Sequence, residues 1–329
     1  MMFEQKRIFI SGGTGSWGQE LTKQLLKQNP EHVIIYSRCE ENQVNMQREF
    51  ADDRLNFVIG DVRDKEALYD AMYGVDYVFH AAALKHVPIC ENQVSEAIKT
   101  NIDGTRNIID CSIKHKVKKF INISTDKVVD PANLYGLTKS IAEKLTIQAN
   151  CQTKDTDFII TRTGNVLGSN GSIVPYVIDQ IITKNEVKIT DKNMVRFFLT
   201  LNQAIELLFF AIENGRGGEI FVRDIPAFYV LDLIELLIEN YGDKNTKIEI
   251  SGIREGEKVN ESLISEYEVK SMAAADYNLV PEYFKILPQL KTGRNYGLIN
   301  GTKYDRIISE DRIESKEILK QLLKEGGLI

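Results

Sequence analysis

The sequence lacks the marks of several protein classes. Its four cysteines (Cys39, Cys90, Cys111 and Cys151) form no Cys-x-x-Cys pair and no metal-ligand spacing, so we expect packing thiols in a reducing compartment and no metal site. The N-terminus lacks the charged and apolar regions of a signal peptide. The most apolar long stretch, residues 199–212, is interrupted by polar and charged side chains. We therefore expect no membrane segment and a cytoplasmic protein.

An excess of basic residues is also absent. Lys and Arg number 41 against 47 Asp and Glu, which leaves a net charge of -6. Affinity for a nucleic-acid backbone depends on concentrated Lys and Arg, so we expect no nucleic-acid partner. An anionic substrate would need a local basic pocket instead. Internal repeats, low-complexity runs and a Pro/Ser-rich linker are absent too.

A regular alternation of short apolar runs and helical patterns occupies the first 160 residues. The helical patterns include Leu21, Leu25 and Leu26. Strands that are apolar on both faces are typical of a parallel sheet. Their alternation with helices predicts an α/β fold, a Rossmann-like doubly wound parallel sheet with helices on both faces. The predicted strands are residues 7–11, 32–37, 55–59, 77–80, 120–124 and 158–161.

The pattern loosens after about residue 162. Residues 165–172 are rich in Gly, Ser and Asn and predict a loop. We interpret residues 1–163 as one domain built on this sheet and 164–329 as a smaller, interleaved α/β part, mostly substrate-binding, some of whose segments return to the sheet. Further predicted elements are helices at 174–184, 201–214 and 230–241, strands near 219–222 and 247–250, a loop at 288–302 and a terminal amphipathic helix at 313–323.

Glycines at positions 12, 15 and 18 follow the first predicted strand and open the first predicted helix. Glycine allows the tight turn, the approach of a pyrophosphate to the backbone, and close packing of helix on strand. The helix N-terminus then offers free N–H groups to the phosphates. A tight turn without a ligand is the alternative. The predicted cofactor-binding residues of this segment are Gly12, Thr14, Gly15, Ser16, Trp17 and Gly18.

Ser37 and Arg38 end the second predicted strand. An acidic residue at this place would bond the ribose 2′-hydroxyl of NAD, whereas Arg favours the 2′-phosphate of NADP. We therefore predict NADP, which makes residues 1–163 an NADP-binding domain. NAD is less favoured, and the acidic residues at 40 and 41 keep it open. Asp61 and Val62 follow the third predicted strand, where a carboxylate could reach the adenine.

A hydroxyl, an acid, a base and a Tyr/Lys pair lie within sixteen residues: Ser124-Thr125-Asp126-Lys127, then Tyr135 and Lys139. Residues at i and i+4 share a helix face, so we expect the Lys139 ammonium beside the Tyr135 phenol. A nearby cation favours phenolate and lowers the pKa of a tyrosine. Tyr135 could then remove a hydroxyl proton while hydride leaves the same carbon. An exposed helical pair is the alternative.

These motifs, together with three others, carry a resemblance. The others are AAALKHVP at 81–88, GNVLGS at 164–169 and GIREGEK at 252–258. The chain resembles the extended short-chain dehydrogenase/reductases and, among them, the inverting UDP-N-acetylglucosamine 4,6-dehydratases of pseudaminic-acid-type pathways. The resemblance covers residues 7–288. Its most discriminating element is Thr-Asp-Lys joined to a retained Tyr-x-x-x-Lys.

The resemblance implies a reaction in which C4 of the sugar is oxidised, C5 loses a proton, C6 loses water and the hydride returns to C6. Asp126 is then the acid, Lys127 the base and Thr125 the hydroxyl beside the tyrosine, while Ser124 packs. Because a cationic Lys lowers the pKa of an adjacent carboxyl, we expect burial to hold Asp126 and Lys127 neutral together. A solvated Asp–Lys pair at a strand end is the alternative.

The resemblance also implies contacts with cofactor and substrate. Ala81 and Lys85 are expected near the cofactor together with Tyr135 and Lys139, whereas His86 is expected to be structural. The substrate is expected to be UDP-N-acetylglucosamine, and relatives imply a homo-oligomer, either a dimer or a hexamer. The expected substrate-binding residues are Lys127, Asn165, Arg196, Arg254 and Glu257.

Four other functions stay open from the sequence. The dehydratase could retain the C5 configuration, or it could release the 5,6-ene before hydride return. A UDP-sugar 4-epimerase would use the Tyr/Lys pair without needing Asp126 and Lys127. A cofactor-binding scaffold without turnover is the alternative outside the enzymes, and the intact Tyr135, Lys139 and Asp126 argue against it.

Overall fold

The computed structural model describes residues 1–274, 282–288, 290, 292 and 306–329. The strands are β1 (Arg7–Ser11), β2 (His32–Ser37), β3 (Leu55–Ile59), β4 (Tyr77–His80), β5 (Lys119–Thr125), β6 (Asp157–Thr163), β7 (Asn165–Val166), β8 (Glu186–Ile189), β9 (Val195–Leu199), β10 (Ile220–Arg223), β11 (Ala227–Tyr229), β12 (Lys247–Ile250), β13 (Ser262–Ile264), β14 (Met272–Ala274), β15 (Tyr283–Ile286) and β16 (Ile307–Ile308).

Helices alternate with these strands. They are α1 (Ser16–Leu26), α2 (Glu40–Phe50), α3 (Lys65–Ala71), α4 (Val87–Asn92), α5 (Val94–Ile98), α6 (Gly104–Lys114), α7 (Leu134–Ala149), α8 (Ile173–Lys184), α9 (Leu201–Asn214), α10 (Val230–Tyr241), α11 (Glu266–Val269) and α12 (Lys316–Glu325). A π-helical turn at Lys99–Asp103 joins α5 to α6, and 3₁₀ turns lie at Asp126–Val128 and Ser309–Arg312.

The largest sheet in the described ranges has the strand order β14-β15-β10-β6-β5-β4-β1-β2-β3. The strands from β3 to β10 run parallel, and β15 and β14 are added antiparallel at one edge. This arrangement confirms the predicted doubly wound, mostly parallel sheet. Strand β10 comes from the second half of the chain and pairs with β6.

Both faces of the central strands are buried, which is why these strands are mostly apolar. Phe9 in β1 packs on one face with Val78, Phe120 and Phe158. Its neighbours Ile8 and Ile10 pack on the other face with residues of α1 and α9. Because successive side chains of a strand point to opposite faces, one strand contributes residues to two hydrophobic cores. Burial of each such side chain stabilises the fold by about 1.5–3 kcal/mol.

Smaller sheets form the rest of the described chain: β11-β9-β7, β12-β8 and β13-β16. Helices α8, α10 and α12 pack around Phe198 and Phe228 in a third core. Strand β16, near the C-terminus, pairs antiparallel with β13. The C-terminal region is thereby fixed against the residues that precede β13, which line the site described below.

Most predicted elements coincide with observed ones, and two differ. The predicted loop at 165–172 is wrong at its start, because Asn165–Val166 forms β7 and pairs with β9. The predicted terminal helix begins later, at Lys316, because the side chain of Ser315 caps it by accepting the N–H of Ile318. The predicted loop at 288–302 lies outside the described residues except for positions 288, 290 and 292.

The cysteines divide into two groups. Cys90 and Cys111 are buried, as expected of packing thiols, and burial raises the pKa of Cys111 to about 11. Cys39 and Cys151 are exposed, so the expectation is wrong for these two, which lie at the ends of elements on the surface. Among the helices of the described ranges, none has the length and apolar character needed to cross a bilayer.

Candidate active site

Three adjoining cavities lie along the carboxyl edge of the parallel sheet, where ligands of doubly wound folds bind. The glycine-turn cavity, about 580 Å³, is lined by Gly12, Arg38 and Asp61 among others. The tyrosine cavity, about 240 Å³, is lined by Thr125, Lys127, Tyr135 and Lys139. The outer cavity, about 530 Å³, shares Lys127 with it. Trp17, Ala81 and Lys85 line both of the first two cavities.

The glycine turn is packed so closely by the protein itself that side chains are excluded at two of its positions. Gly12 has φ +70°, and a Cβ there would lie 2.9 Å from the backbone nitrogen of Ala82. A Cβ at Gly18 would lie 2.2 Å from the carbonyl oxygen of Gly13. Helix α1 can therefore pack this closely on the turn only if residue 18 is glycine. Helix α1 begins at Ser16, beside the cavity. The glycine turn and the N-terminus of α1 together fit the pyrophosphate of a dinucleotide.

Ser16 and Lys85 both contact the loop that follows β7. The Ser16 hydroxyl oxygen accepts the Asn170 backbone N–H at 2.8 Å. The Lys85 ammonium donates to the Asn170 carbonyl at 2.6 Å, and burial lowers the pKa of Lys85. The sequence pattern did not reveal this contact. It brings the glycine turn, the segment after β4 and the loop after β7 together around one cavity.

The far end of the glycine-turn cavity is lined by residues that follow β2 and β3. Arg38 is exposed there, and Ser37 is buried beneath it. Asp61 accepts hydrogen bonds from Nε and NH2 of Arg63 at 2.9 and 2.6 Å. Burial alone would raise the pKa of Asp61, but these bonds outweigh it and the pKa is lowered. The neighbouring Val62 is buried.

Tyr135 and Lys139 share a face of α7 and line the tyrosine cavity. Burial raises the pKa of Tyr135 to about 12, opposed by the charge of Lys127 and a hydrogen bond with Thr125. Burial lowers the pKa of Lys139 to about 8, and its ammonium donates to Asn122 at 3.4 Å. The expected lowering of the Tyr135 pKa by Lys139 is therefore wrong here, because burial dominates.

Asp126 follows β5 in a 3₁₀ turn and is fully buried. Its Oδ1 accepts from the Thr125 hydroxyl at 2.9 Å and from Lys127 Nζ at 3.0 Å. Its Oδ2 is buried and makes no hydrogen bond within the described residues. A solvated pair at a strand end is thereby excluded. A buried, unsatisfied carboxyl oxygen is costly, so Oδ2 is suited to binding a proton or a hydroxyl group.

Lys127 lies between two carboxylates. Its Nζ is 3.0 Å from Asp126 Oδ1 and 3.5 Å from Glu261 Oε1. Burial alone would lower the pKa of Lys127, but the charges of Asp126 and Glu261 outweigh it and the pKa is raised. The expectation of a neutral amine is therefore wrong for the ligand-free structure. Glu261 is far from Lys127 along the chain, so spacing did not reveal it.

Ser124 borders the tyrosine cavity, but its hydroxyl is bonded on the side of Glu143. Its hydroxyl donates to Glu143 Oε1 at 2.6 Å, and Glu143 forms a buried ion pair of 2.8 Å with Arg162. That is the packing role expected for Ser124. Buried charges need partners, and this pair also joins α7 to β6 beneath the tyrosine cavity.

The five residues expected to bind substrate all line the outer cavity: Lys127, Asn165, Arg196, Arg254 and Glu257. Asn165 Oδ1 is buried and makes no hydrogen bond within the described residues. Arg196 is buried, and its guanidinium donates to the carbonyls of Val195, Lys258 and Val259 at 2.7–2.8 Å. Arg196 therefore holds the 258–259 segment in place as well as lining the cavity.

Asn133 links the outer cavity to α7 and was not singled out by the sequence. Its Oδ1 accepts the N–H of Gly136 at 2.8 Å and caps the helix. Its Nδ2 donates to the Gly256 carbonyl at 2.9 Å. In the same loop the Glu257 carboxylate accepts the backbone N–H of Arg254 at 3.2 Å. The capping pattern Asn133-Leu134-Tyr135-Gly136 was the signal that could have identified it.

Sequence comparison places the chain among enzymes of nucleotide sugars. The family described as polysaccharide biosynthesis protein matches residues 8–281. The chain is 42% identical to an uncharacterized membrane protein of Methanocaldococcus jannaschii, over 98% of this chain and 96% of that protein. It is 44% identical to the inverting UDP-N-acetylglucosamine 4,6-dehydratase of Campylobacter jejuni (88% and 85% covered). It is 43% identical to a UDP-glucose 4-epimerase of Rickettsia akari (84% and 81% covered).

Solved structures agree with the fold. The crystal structure of Pen from Bacillus thuringiensis matches with a TM-score of 0.93 at 37% identity, and each chain is covered completely (100% and 100%). A dTDP-glucose 4,6-dehydratase of Streptomyces venezuelae, solved with NAD bound, matches with a TM-score of 0.71 at 24% identity, over 77% of this chain and 86% of that one. The second likeness concerns the fold.

Proposed function

The chain belongs to the polysaccharide biosynthesis protein family of nucleotide-sugar dehydratases and epimerases, and from that premise we propose that it is a C5-inverting UDP-N-acetylglucosamine 4,6-dehydratase. Its product would be UDP-2-acetamido-2,6-dideoxy-β-L-arabino-hex-4-ulose. One observation carries the proposal. The Asp126–Lys127 pair adjoins the cavity of Tyr135 and Lys139, so an acid and a base lie beside a proton acceptor for oxidation.

In the first half-reaction Tyr135 takes the proton of the C4 hydroxyl. A bound nicotinamide dinucleotide would supply the hydride acceptor for C4 and later the hydride donor for C6. Because the pKa of Tyr135 is about 12 in the ligand-free protein, the phenol is protonated at rest and must first be ionised. The Lys127 charge and the Thr125 hydrogen bond both favour that ionisation. Lys139 adds a second cationic group to the same cavity.

In the second half-reaction the C4 ketone makes the C5 hydrogen acidic. We propose that the proton on Lys127 Nζ first moves along the 3.0 Å hydrogen bond to Asp126, which leaves a neutral amine and a neutral acid. Lys127 then takes the C5 proton, the C6–O bond breaks, and Asp126 protonates the departing hydroxide to give water. When hydride is later added to C6, C5 must accept a solvent-derived proton on the face opposite the one that lost its proton. Exclusion of water by the bound sugar favours the neutral pair, because burial disfavours charge.

The cofactor proposed is NADP. The glycine turn fits a pyrophosphate, and Arg38 is exposed at the far end of the same cavity, where a 2′-phosphate would lie. Charge-assisted Arg–phosphate hydrogen bonds are among the stronger polar contacts available to a protein. NAD is the alternative, since the residues that line this end offer hydrogen-bonding groups for a free ribose as well.

The outer cavity is the proposed site of the UDP moiety and the N-acetyl sugar. Arg254 is exposed at its wall and suits a diphosphate, while Asn165 Oδ1 lacks a hydrogen bond and suits a sugar hydroxyl or amide N–H. Glu257 lies in the same loop as Arg254. A metal has no role in this proposal. The cytoplasmic location, the pseudaminic-acid-type pathway and the homo-oligomer, dimer or hexamer, stay predictions.

A UDP-sugar 4-epimerase is the second candidate, because relatives of similar identity carry that name. An epimerase needs C4 oxidation and return of hydride to the other face of C4. It does not need an acid and a base for loss of water. Two features of Asp126 support the dehydratase instead: its Oδ2 makes no hydrogen bond within the described residues, and its Oδ1 accepts a hydrogen bond from Lys127.

Incubation with UDP-N-acetylglucosamine and NADP in deuterium oxide, followed by NMR, tests the proposal. The expected product carries deuterium at C5, a methyl group at C6 and couplings of the inverted ring. Deuterium with unchanged ring couplings indicates retention, and a vinyl signal indicates release of the 5,6-ene. A C4 epimer without loss of water indicates the epimerase. Unchanged substrate in the presence of bound cofactor would refute enzymatic turnover.

A further inference from the structure

Glu261 is a buried carboxylate next to Lys127 to which the proposed reaction assigns no step. It is 3% exposed. Its Oε1 is 3.5 Å from Lys127 Nζ, and its Oε2 is buried without a hydrogen bond within the described residues. Glu261 also lines the outer cavity. A buried carboxylate at a reaction centre, one of whose oxygens makes no hydrogen bond within the described residues, calls for a role, since its desolvation is costly.

The backbone around Glu261 is held rigidly by the C-terminal region. The Glu261 N–H donates to the Ser309 hydroxyl at 3.1 Å, and the Ser309 N–H donates to the Glu261 carbonyl at 2.9 Å. The adjacent strands β13 and β16 continue this pairing. The carboxylate is therefore placed by main-chain contacts that do not depend on its own charge. A side-chain substitution that keeps its size should leave those contacts intact.

Charged and titratable groups surround Lys127 from several elements. Asp126 and Glu261 favour its ammonium form, and Arg196 opposes it. Lys258 reaches Glu261 Oε2 at 3.8 Å, but its ammonium donates to the Val129 carbonyl at 2.8 Å. Tyr135 is neutral at rest, because its pKa is about 12. Glu261 is thus the second of two negative groups that hold the Lys127 charge.

We infer that Glu261 is a positioning residue that acts through Lys127, holding its Nζ at the junction of the tyrosine and outer cavities and stabilising the ammonium formed when the C5 proton is taken. The kinetic part of this inference rests on the proposed function, whereas the contact itself does not. In the step concerned, the C5–H bond breaks, an N–H bond forms on Lys127, and Glu261 remains a carboxylate throughout. This step is a proton transfer, so it needs no oxidant, reductant or co-reactant.

The inference predicts a trade-off. With Glu261 present, Lys127 keeps its proton to higher pH, so less of the enzyme holds the neutral base at a given pH. In return the ammonium produced by C5 deprotonation is stabilised. Removal of the Glu261 charge lowers the pKa of Lys127, so the pair loses at lower pH the proton that Asp126 must donate, and the falling limb of the pH–rate profile moves to lower pH. A purely structural role would lower the rate at every pH without moving that limb.

The first test needs no turnover. The resting protein is treated with an acylating reagent across a range of pH, and modification of Lys127 is followed by mass spectrometry against exposed Lys320 in the same molecule. Only the neutral amine reacts. In Glu261→Gln the midpoint for Lys127 should fall by about one pH unit, because an opposite charge at this distance shifts a pKa by about that much or more. An unmoved midpoint overturns the inference.

Two further variants control the measurement. Glu310→Gln removes the same charge from an exposed residue that binds Asn260, next to Glu261, and should leave the Lys127 midpoint unchanged. Glu261→Asp keeps the charge and should restore most of the wild-type midpoint. A midpoint that falls equally in Glu310→Gln, or that Glu261→Asp fails to restore, overturns the role assigned to the carboxylate.

The second test measures deuterium uptake at C5 as a function of pH. The falling limb should move to lower pH in Glu261→Gln by the same amount as the labelling midpoint. A limb that stays in place while the rate falls overturns the positioning role. Absence of C5 exchange in the wild type, with the labelling midpoint shifted in Glu261→Gln, refutes the proposed function and leaves the contact standing. The two failures are therefore distinguishable.

Discussion

Gly136 packs directly on the carbonyl oxygen of Lys127. A Cβ added at Gly136 would lie 2.2 Å from that oxygen, closer than any side chain allows. The contact joins the first turn of α7, which carries Tyr135, to the 3₁₀ turn that carries Asp126 and Lys127. The oxidation residues and the elimination residues are thus held at a fixed distance by a backbone contact that only glycine permits.

Gly136→Ala should therefore damage the site. Alanine favours a helix by roughly 1 kcal/mol over glycine, but overpacking against a backbone atom costs about 1–3 kcal/mol. We expect a lower melting temperature and loss of most C5 exchange. Calorimetry and the NMR assay measure the two effects. Gly326→Ala is the matched control, since its Cβ would meet nothing closer than 3.4 Å; equal behaviour of the two variants would contradict the contact.

Lys127→Ala should separate the two half-reactions. Loss of a general base slows its step by about 100- to 10,000-fold, so deuterium uptake at C5 should fall by that factor. Oxidation at C4 should continue at a reduced rate, because the Lys127 charge no longer favours ionisation of Tyr135, and should be visible as absorbance of the reduced cofactor on mixing with substrate. Lys144→Ala, an exposed lysine of α7, is the control and should behave as the wild type. Normal turnover of Lys127→Ala would disprove the base assignment.

Tyr135→Phe should stop the reaction earlier. The C4 hydroxyl then lacks its proton acceptor, so neither reduced cofactor nor deuterated product should form, with a loss of about 100-fold or more. Stopped-flow absorbance after mixing with substrate measures the first step directly. Tyr73→Phe changes an exposed tyrosine (77% exposed) in the same way and should have no effect. Rapid reduction of cofactor by Tyr135→Phe would exclude Tyr135 as the acceptor.

Arg38→Ala should change the cofactor preference. A charge-assisted bond to a 2′-phosphate contributes roughly 1.5–3 kcal/mol, so the Kd for NADP should rise at least about tenfold. The Kd for NAD should hardly change, because its ribose has no phosphate. Isothermal titration with both cofactors gives the two constants. Arg48→Ala, exposed in the following helix, is the control. An equal effect on both cofactors would contradict recognition of the phosphate.

Lys139 should give stability a distinct pH dependence. Its pKa is about 8 in the folded protein and 10.5 for an ordinary lysine, so the unfolded chain binds more protons between these values. Stability therefore rises with pH across that window. Relative to Lys139→Met, the wild type should gain about 2 kcal/mol of unfolding free energy between roughly pH 7.5 and 9.5. Denaturant unfolding at both pH values measures it, and a constant difference would contradict the burial of the charge.

Much of the fold was readable from local patterns. Strands β1, β2 and β4 lie where the apolar runs do, because a strand buried on both faces is mostly apolar. The glycine turn, the Tyr135–Lys139 spacing and the Asp126–Lys127 pair were also visible, since each lies within one turn or one helix. The short strand β7 was not, because it is held by pairing with β9 and carries loop-like residues.

The sequence by itself determined which groups are available: a hydroxyl, an acid and a base directly after β5, and a phenol in the helix that follows. Only the tertiary structure decided their charges. Glu261 reaches Lys127 through β13 and its pairing with β16, and its field keeps the amine protonated where burial alone would neutralise it. Likewise burial raises the pKa of Tyr135 more than the charge of Lys127 lowers it. Solvation and distant charges depend on which segments the fold brings together, and no spacing along the chain records that.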